Sequence, residues 1–203
     1  MLPPLARIIA TSPDFTWWWE GARSHRVTAK DIGTSPFDDL TEQSHWSNQP
    51  RSAQTIQTTP GPIESLESTM AVCFDNDTAY AGDNRTLPLA KNDPCGQGLR
   101  ITSPSDWQDL LSVAHTVVTD DGRLHDWSDM LGTQRKWVTP DWQTISQSFD
   151  WIELTLGGFL MTSYRTIEFD GSMSAVIGWT PGATIFFNGD PDEYLGWASM
   201  SSR

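Results

Sequence analysis

Basic residues are scarce in this chain: 13 Lys and Arg stand against 26 Asp and Glu, a formal charge of −13 over 203 residues. Such an excess repels nucleic-acid phosphates and anionic lipid headgroups, which excludes conventional nucleic-acid binding. Cysteine is nearly lacking as well. Cys73 and Cys95 are well separated and have no CxxC spacing, so free thiols are expected in place of a disulfide framework or a zinc site. No apolar run approaches the roughly 20 residues that span a bilayer, and the opening MLPPLARIIATS has no basic n-region. The chain therefore reads as cytoplasmic and independent of membranes. Four scattered histidines form no HxxxH or HxH pattern, and neither a P-loop, nor GxGxxG, nor GxSxG occurs. No resident metal or cofactor is expected on these grounds, and nucleotide hydrolysis and serine-hydrolase chemistry have no support.

What is present is tryptophan. Eleven of them run from Trp17 to Trp197, which points to packing by large amphipathic rings whose indole N–H groups find acceptors. Trp17, Trp18 and Trp19 are consecutive, so they cannot all face one side of a helix or strand, and one ring becomes a candidate partner contact. The length suits one domain over residues 1–203. Within it, residues 31–69 are rich in Ser, Thr, Gln and Pro without a period of 2 or 3.6, and read as a long polar loop. A second loop is expected over 82–98. The acidic excess is uneven: residues 141–203 carry only Arg165 and Arg203 against eight acids. In the late segment GDPDEY, Asp190, Asp192 and Glu193 are expected on an exposed turn that a basic partner could meet.

Local signals are clearest after residue 98. Ser103, Pro104 and Asp106 form a helix start, and Trp107, Leu110, Leu111 and Ala114 recur at helical spacing. A second short helix is expected from Thr139 as cap and Pro140 at the first helical position, with Trp142, Ile145 and Phe149 on one face. Ile152, Leu154 and Leu156 then alternate with Glu153 and Thr155, as in a strand with one buried face, closed by Gly157 and Gly158. Further strands are expected at RIIAT, TMAVCF, GLRIT, SAVIGW and TIFFN. The expected class is α+β, with a mixed or mainly antiparallel sheet, two or three short helices and long loops. Asp-Trp occurs four times, ending at Trp107, Trp127, Trp142 and Trp151. Helix starts explain two of these and leave His125-Asp126-Trp127 and Asp150-Trp151 without a local reason, the first being the more suggestive acid/base pair.

The stretches LRITSPSDWQDLL, HDW, KWVTPDWQTISQSFDWIELTLGGFL and VIGWTPGATIFF together resemble an uncharacterised family of actinobacterial and actinophage proteins over residues 99–187. That resemblance implies a strand and a Ser-Pro-x-Asp-Trp helix, a W-x-x-P-D-W helix, a strand begun by Asp and a closing strand. A second stretch, AVCFDNDTAYAG followed by GLRIT, resembles the middle of compact ADP-ribosyltransferase-like domains such as rifampin-modifying enzymes. It implies NAD cleavage between two small sheets, with a His or Arg on an early strand, a Ser or Tyr in the middle and a Glu on a late strand. Arg23 and His25, Tyr80, and Glu153 or Glu168 are the positions that would carry those roles, because Ala183 and Thr184 occupy the closing strand. The leading functional expectation is an acidic protein that binds a partner with a basic surface, as an immunity factor or inhibitor does, without a cofactor. The alternatives are an NAD-dependent ADP-ribosyltransferase-like enzyme and a phage or cell-envelope structural protein.

Overall fold

A computed structural model describes Thr11 and residues 26–28, 47–50, 54–58, 86–88, 96–179 and 183–188. The architecture is α+β. A six-stranded sheet has the order β3-β1-β2-β10-β7-β4, formed by β1 (Arg26–Thr28), β2 (Gln54–Thr58), β3 (Thr86–Pro88), β4 (Gly98–Ile101), β7 (Trp151–Leu154) and β10 (Ala183–Phe186). Its pairs are antiparallel except β4 with β7, which run parallel, Leu99 opposite Ile152. Two ribbons complete the strands: β5 (His115–Val117) with β6 (Val138–Pro140), and β8 (Ile167–Phe169) with β9 (Ser172–Ser174). Four helices lie among the described residues, α1 (Pro104–Val113), α2 (Asp121–Leu131), α3 (Trp142–Ile145) and α4 (Leu156–Thr162).

Helix α1 begins where its capping signals place it. The Ser103 hydroxyl accepts from the Asp106 amide, and Asp106 Oδ2 accepts from the Ser103 amide at 2.9 Å and the Thr102 amide at 2.8 Å. This reciprocal box satisfies donors that a helix start otherwise leaves open. Helix α3 starts two residues later than expected. Asp141, not Thr139, is its cap, because Thr139 and Pro140 are taken by β6, where Pro140 stands opposite His115. The expected strand through Leu156 also ends early, at Leu154. Thr155 instead caps α4, its hydroxyl accepting from the Gly158 amide at 3.0 Å and donating to the Ile101 carbonyl at 3.1 Å. Gly158 is required there, since a Cβ would stand 1.9 Å from that same carbonyl oxygen. The glycine pair therefore opens a helix instead of closing a strand.

One face of the sheet carries Ile101, Ile152, Leu154 and Ile185, all buried against Trp107, Leu110 and Leu111 of α1. Trp142 and Trp179 complete this core with Trp107: the ring pairs are 5.7 to 6.4 Å apart in edge-on or tilted contact, the geometry aromatic quadrupoles favour. A second cluster joins Val118, Trp127, Trp137, Ala175 and Ile177. Trp107, Trp127, Trp137, Trp142, Trp151 and Trp179 are all buried, as packing by amphipathic rings requires.

The expected long loop over 31–69 is corrected at two places. β2 lies inside it, paired between β1 and β10, and Asn48 within it is fully buried. The Asn48 side chain donates to the Ala175 carbonyl at 2.7 Å and accepts from the Ile177 amide at 3.0 Å and the Trp179 indole at 3.1 Å. Its backbone N–H donates to the Ile177 carbonyl at 3.0 Å and its carbonyl accepts from the Trp142 indole at 2.9 Å. β3 similarly occupies part of the expected loop over 82–98. SAVIGW is strand only at its start, since Asn48 takes the hydrogen bonds that a neighbouring strand would supply at Ala175 and Ile177. The expected strands RIIAT and TMAVCF lie outside the described residues, Thr11 excepted. Replacing Asn48 with Leu leaves buried donors and an acceptor unpaired at about 1–3 kcal/mol each. The expected result is a loss of about 4 kcal/mol in a denaturant titration, with Asn48→Asp intermediate because one acceptor oxygen is retained.

Candidate functional site

Of the positions picked out by the sequence, Arg23, His25, Tyr80, Trp17, Trp18, Trp19, Asp190, Asp192 and Glu193 lie outside the described residues. Glu153 and Glu168 lie within them, on different sheets. Glu168 is exposed on β8, and its backbone carbonyl accepts from the Gln108 side chain at 2.7 Å. Glu153 is buried in β7, 2% exposed, and bonded to Arg100 Nε at 2.6 Å across the parallel pair. Arg100 in turn lies over the Trp151 ring, 5.5 Å from its centroid. Trp151 packs flat on Gly98, where any Cβ would meet the indole at 1.9 Å. Arg100 was not foreseen as a partner; its signal was a lone cation in the otherwise apolar strand GLRIT. Thr184, opposite Glu153 on β10, and Trp151 share this face, and the Thr184 hydroxyl and the Trp151 indole N–H have no hydrogen-bond partner among the described residues.

The suggested His125-Asp126 pair does not form. Both side chains are exposed on α2, and His125 Nε2 instead meets Asp129 Oδ2 at 3.5 Å, one helical turn on. That helix was missed because Gly122 in its first turn disguises the pattern. Its start is nonetheless capped by Asp120, whose Oδ1 accepts from the Arg123 amide at 2.7 Å.

The 3.6-residue period of α2 sorts its side chains sharply. Arg123, Trp127 and Ser128 are buried, whereas Asp121, Asp126 and Asp129 are exposed, with Asp120 exposed at the cap. Arg123, the helix's one Lys or Arg, is turned inward over the Trp127 ring at 5.7 Å. Burial pushes its guanidinium pKa down from the ordinary value, and the carboxylate of Asp120 partly restores it. Beside the start of α2 is a cleft of about 330 Å³, lined by Thr116, Val118, Asp120, Arg123, Thr139 and Asp141 together with their neighbours. The Thr139 hydroxyl is buried there with no hydrogen-bond partner among the described residues. Among those residues, no group of three His, Cys, Asp or Glu side chains is placed to hold a metal ion, and no helix is long and apolar enough to cross a membrane. Two carboxylates, exposed Asp120 and half-buried Asp141, and the Arg123 guanidinium thus stand around a recess of mixed polar and apolar lining.

No family model, curated protein or solved structure matches the chain, which leaves both resemblances resting on their residues alone.

The unequal settings of the two glutamates give opposite expectations. Glu153→Gln removes the charge opposite Arg100, whose side chain is itself only 22% exposed. It should cost about 3 kcal/mol, the low end for breaking a buried pair. Glu168→Gln, on an exposed side chain, should stay within about 0.5 kcal/mol. Paired thermal melts of the two variants check both figures.

Proposed function

We propose that the protein is a cytoplasmic binding protein for a basic partner, acting as an immunity factor or inhibitor acts, and that the outer face of α2 is the surface presented. One observation carries this reading: the inward turn of Arg123 leaves the solvent side of α2 with Asp120, Asp121, Asp126 and Asp129 and no Lys or Arg. In a chain of charge −13, such a face adds local field to a long-range attraction for cationic surfaces, which raises the encounter rate more than the final affinity. Asp121, Asp126 and Asp129 are exposed and, unlike the cap Asp120, hold no helix-start amide, so their replacement leaves the fold nearly intact, within about 1 kcal/mol.

A second reading, an NAD-using ADP-ribosyltransferase-like enzyme, draws on Glu153. It is the candidate carboxylate bonded to a cation, and two polar groups without a hydrogen-bond partner among the described residues share its sheet face. On that reading wild-type protein cleaves NAD and Glu153→Gln does not; intact NAD after prolonged incubation with wild-type protein removes it.

The docking reading is checked with immobilised protein exposed to cell extract at about 0.05 M and about 0.5 M salt, either side of the ionic strength where the screening length is about 8 Å. Quantitative mass spectrometry should find retained proteins of high isoelectric point, released at the higher salt. Their association with the Asp121→Asn, Asp126→Asn, Asp129→Asn triple variant should be slower and less salt-dependent. Equal retention by the variant and wild type at both salt levels removes α2 as the surface.

A further inference from the structure

The cleft at the start of α2 adjoins the acidic face and differs from it chemically. Its walls come from the β5–β6 ribbon and from the starts of α2 and α3. Thr116 and Thr139 stand directly opposite each other in the ribbon, and both line the recess. Thr116 is exposed, while Thr139 is 2% exposed with its hydroxyl unpartnered among the described residues. A buried hydroxyl without a partner is costly and marks a place where a donor or acceptor is missing.

The charges around it favour a cation. Asp120 faces Arg123, and that carboxylate partly compensates the buried guanidinium. Asp141 has no such cation among the described residues: Oδ1 accepts from the Thr144 amide at 3.3 Å and Oδ2 from the Thr144 hydroxyl at 2.8 Å. A carboxylate offers about four acceptor sites, so Asp141 keeps capacity on both oxygens. Val117, Val118 and Pro140 line the same recess with apolar surface. Apolar walls beside a carboxylate with no ion pair and a buried hydroxyl with no partner among the described residues match a methylene stem that ends in a positive head.

We propose that this cleft receives a basic side chain, lysine or arginine, of the protein partner, with Asp141 and Thr139 taking its charged head. The proposal rests on the docking reading for the identity of the ligand's owner; the recess itself is argued from its own residues. An anionic ligand would have to approach Asp120 and Asp141 together in a strongly acidic molecule, which the same charges oppose.

The test uses the full chain labelled with nitrogen-15 and three small probes: N-acetyl-lysine amide, N-acetyl-arginine amide and the uncharged N-acetyl-citrulline amide. At low ionic strength, saturable amide shifts should concentrate at residues 116–120 and 139–143 and at the Trp142 indole for one or both cationic probes, and be absent with citrulline. The stronger of the two identifies the head group. Asp141→Asn, which retains a capping acceptor for α3, should weaken the binding about tenfold, the effect of losing a charge-assisted bond. Thr139→Val removes the buried, unpartnered hydroxyl at constant shape and should weaken binding several-fold without lowering the melting temperature. Shifts confined to Asp121, Asp126 and Asp129, equal shifts with citrulline, or unchanged binding in both variants would each overturn the proposal. The probes report on the recess whether or not a basic protein partner exists. A silent titration thus leaves the α2 capture experiment standing, and failed capture leaves a positive titration standing.

Discussion

A buried amide, that of Asn48, ties its segment to residues 175–179, which no strand ladder pairs with it directly. Asn48 takes the place of a neighbouring strand for Ala175 and Ile177, and it gives the indoles of Trp142 and Trp179 their acceptors. Without it, these large rings would bury N–H groups in an apolar core at a cost that their contact energy does not offset. The positions of Trp107, Trp142 and Trp179 against one another, and thus the seat of α1 on the sheet and of α3 beside it, depend on this amide. The cleft inherits the dependence, because its Asp141 wall directly precedes Trp142.

The sheet shows how polar groups are tolerated in an interior otherwise built from branched aliphatics and tryptophan. β7 is buried along its whole length, Trp151 and Glu153 pointing to one face and Ile152 and Leu154 to the other. Glu153 can occupy that position because Arg100 stands opposite it in the parallel register, itself supported by the Trp151 ring. Such a pair adds less to stability than well-packed apolar residues of similar volume, yet it fixes register, since a slip of one residue would separate the charges.

What was legible in the sequence was legible for local reasons. The start of α1 needs only Ser103 and Asp106, close in the chain, and β4 and β10 are short, mainly apolar runs, with Arg100 the exception in β4. α3 was misplaced by two residues because Thr139-Pro140-Asp141 satisfies the helix-start pattern in two registers, and the pairing of Pro140 with His115 decides between them. β2 was hidden because QTIQT has no apolar alternation; its place comes from its partners on either side. The acid-rich composition announced a negative surface, but the side of α2 that carries it follows from Arg123 seeking Trp127, a contact that composition does not contain. Glu153 is singled out only through the ADP-ribosyltransferase-like resemblance, while Arg100, 53 residues away, is a long-range partner that spacing cannot reveal.

The span bridged by Asn48 also matters for the order in which the molecule is made. Its carbonyl partner at Ala175 lies 127 residues further along, so at ribosomal speeds of about 5–20 residues per second the amide emerges on the order of ten seconds before its acceptor exists. Pairing of β2 with β10 waits just as long, Gln54 lying opposite Phe186. During synthesis the region from α1 to α4 therefore has its local helices and ribbons available first, and pairing of β2 with β10 waits until Phe186 has been made.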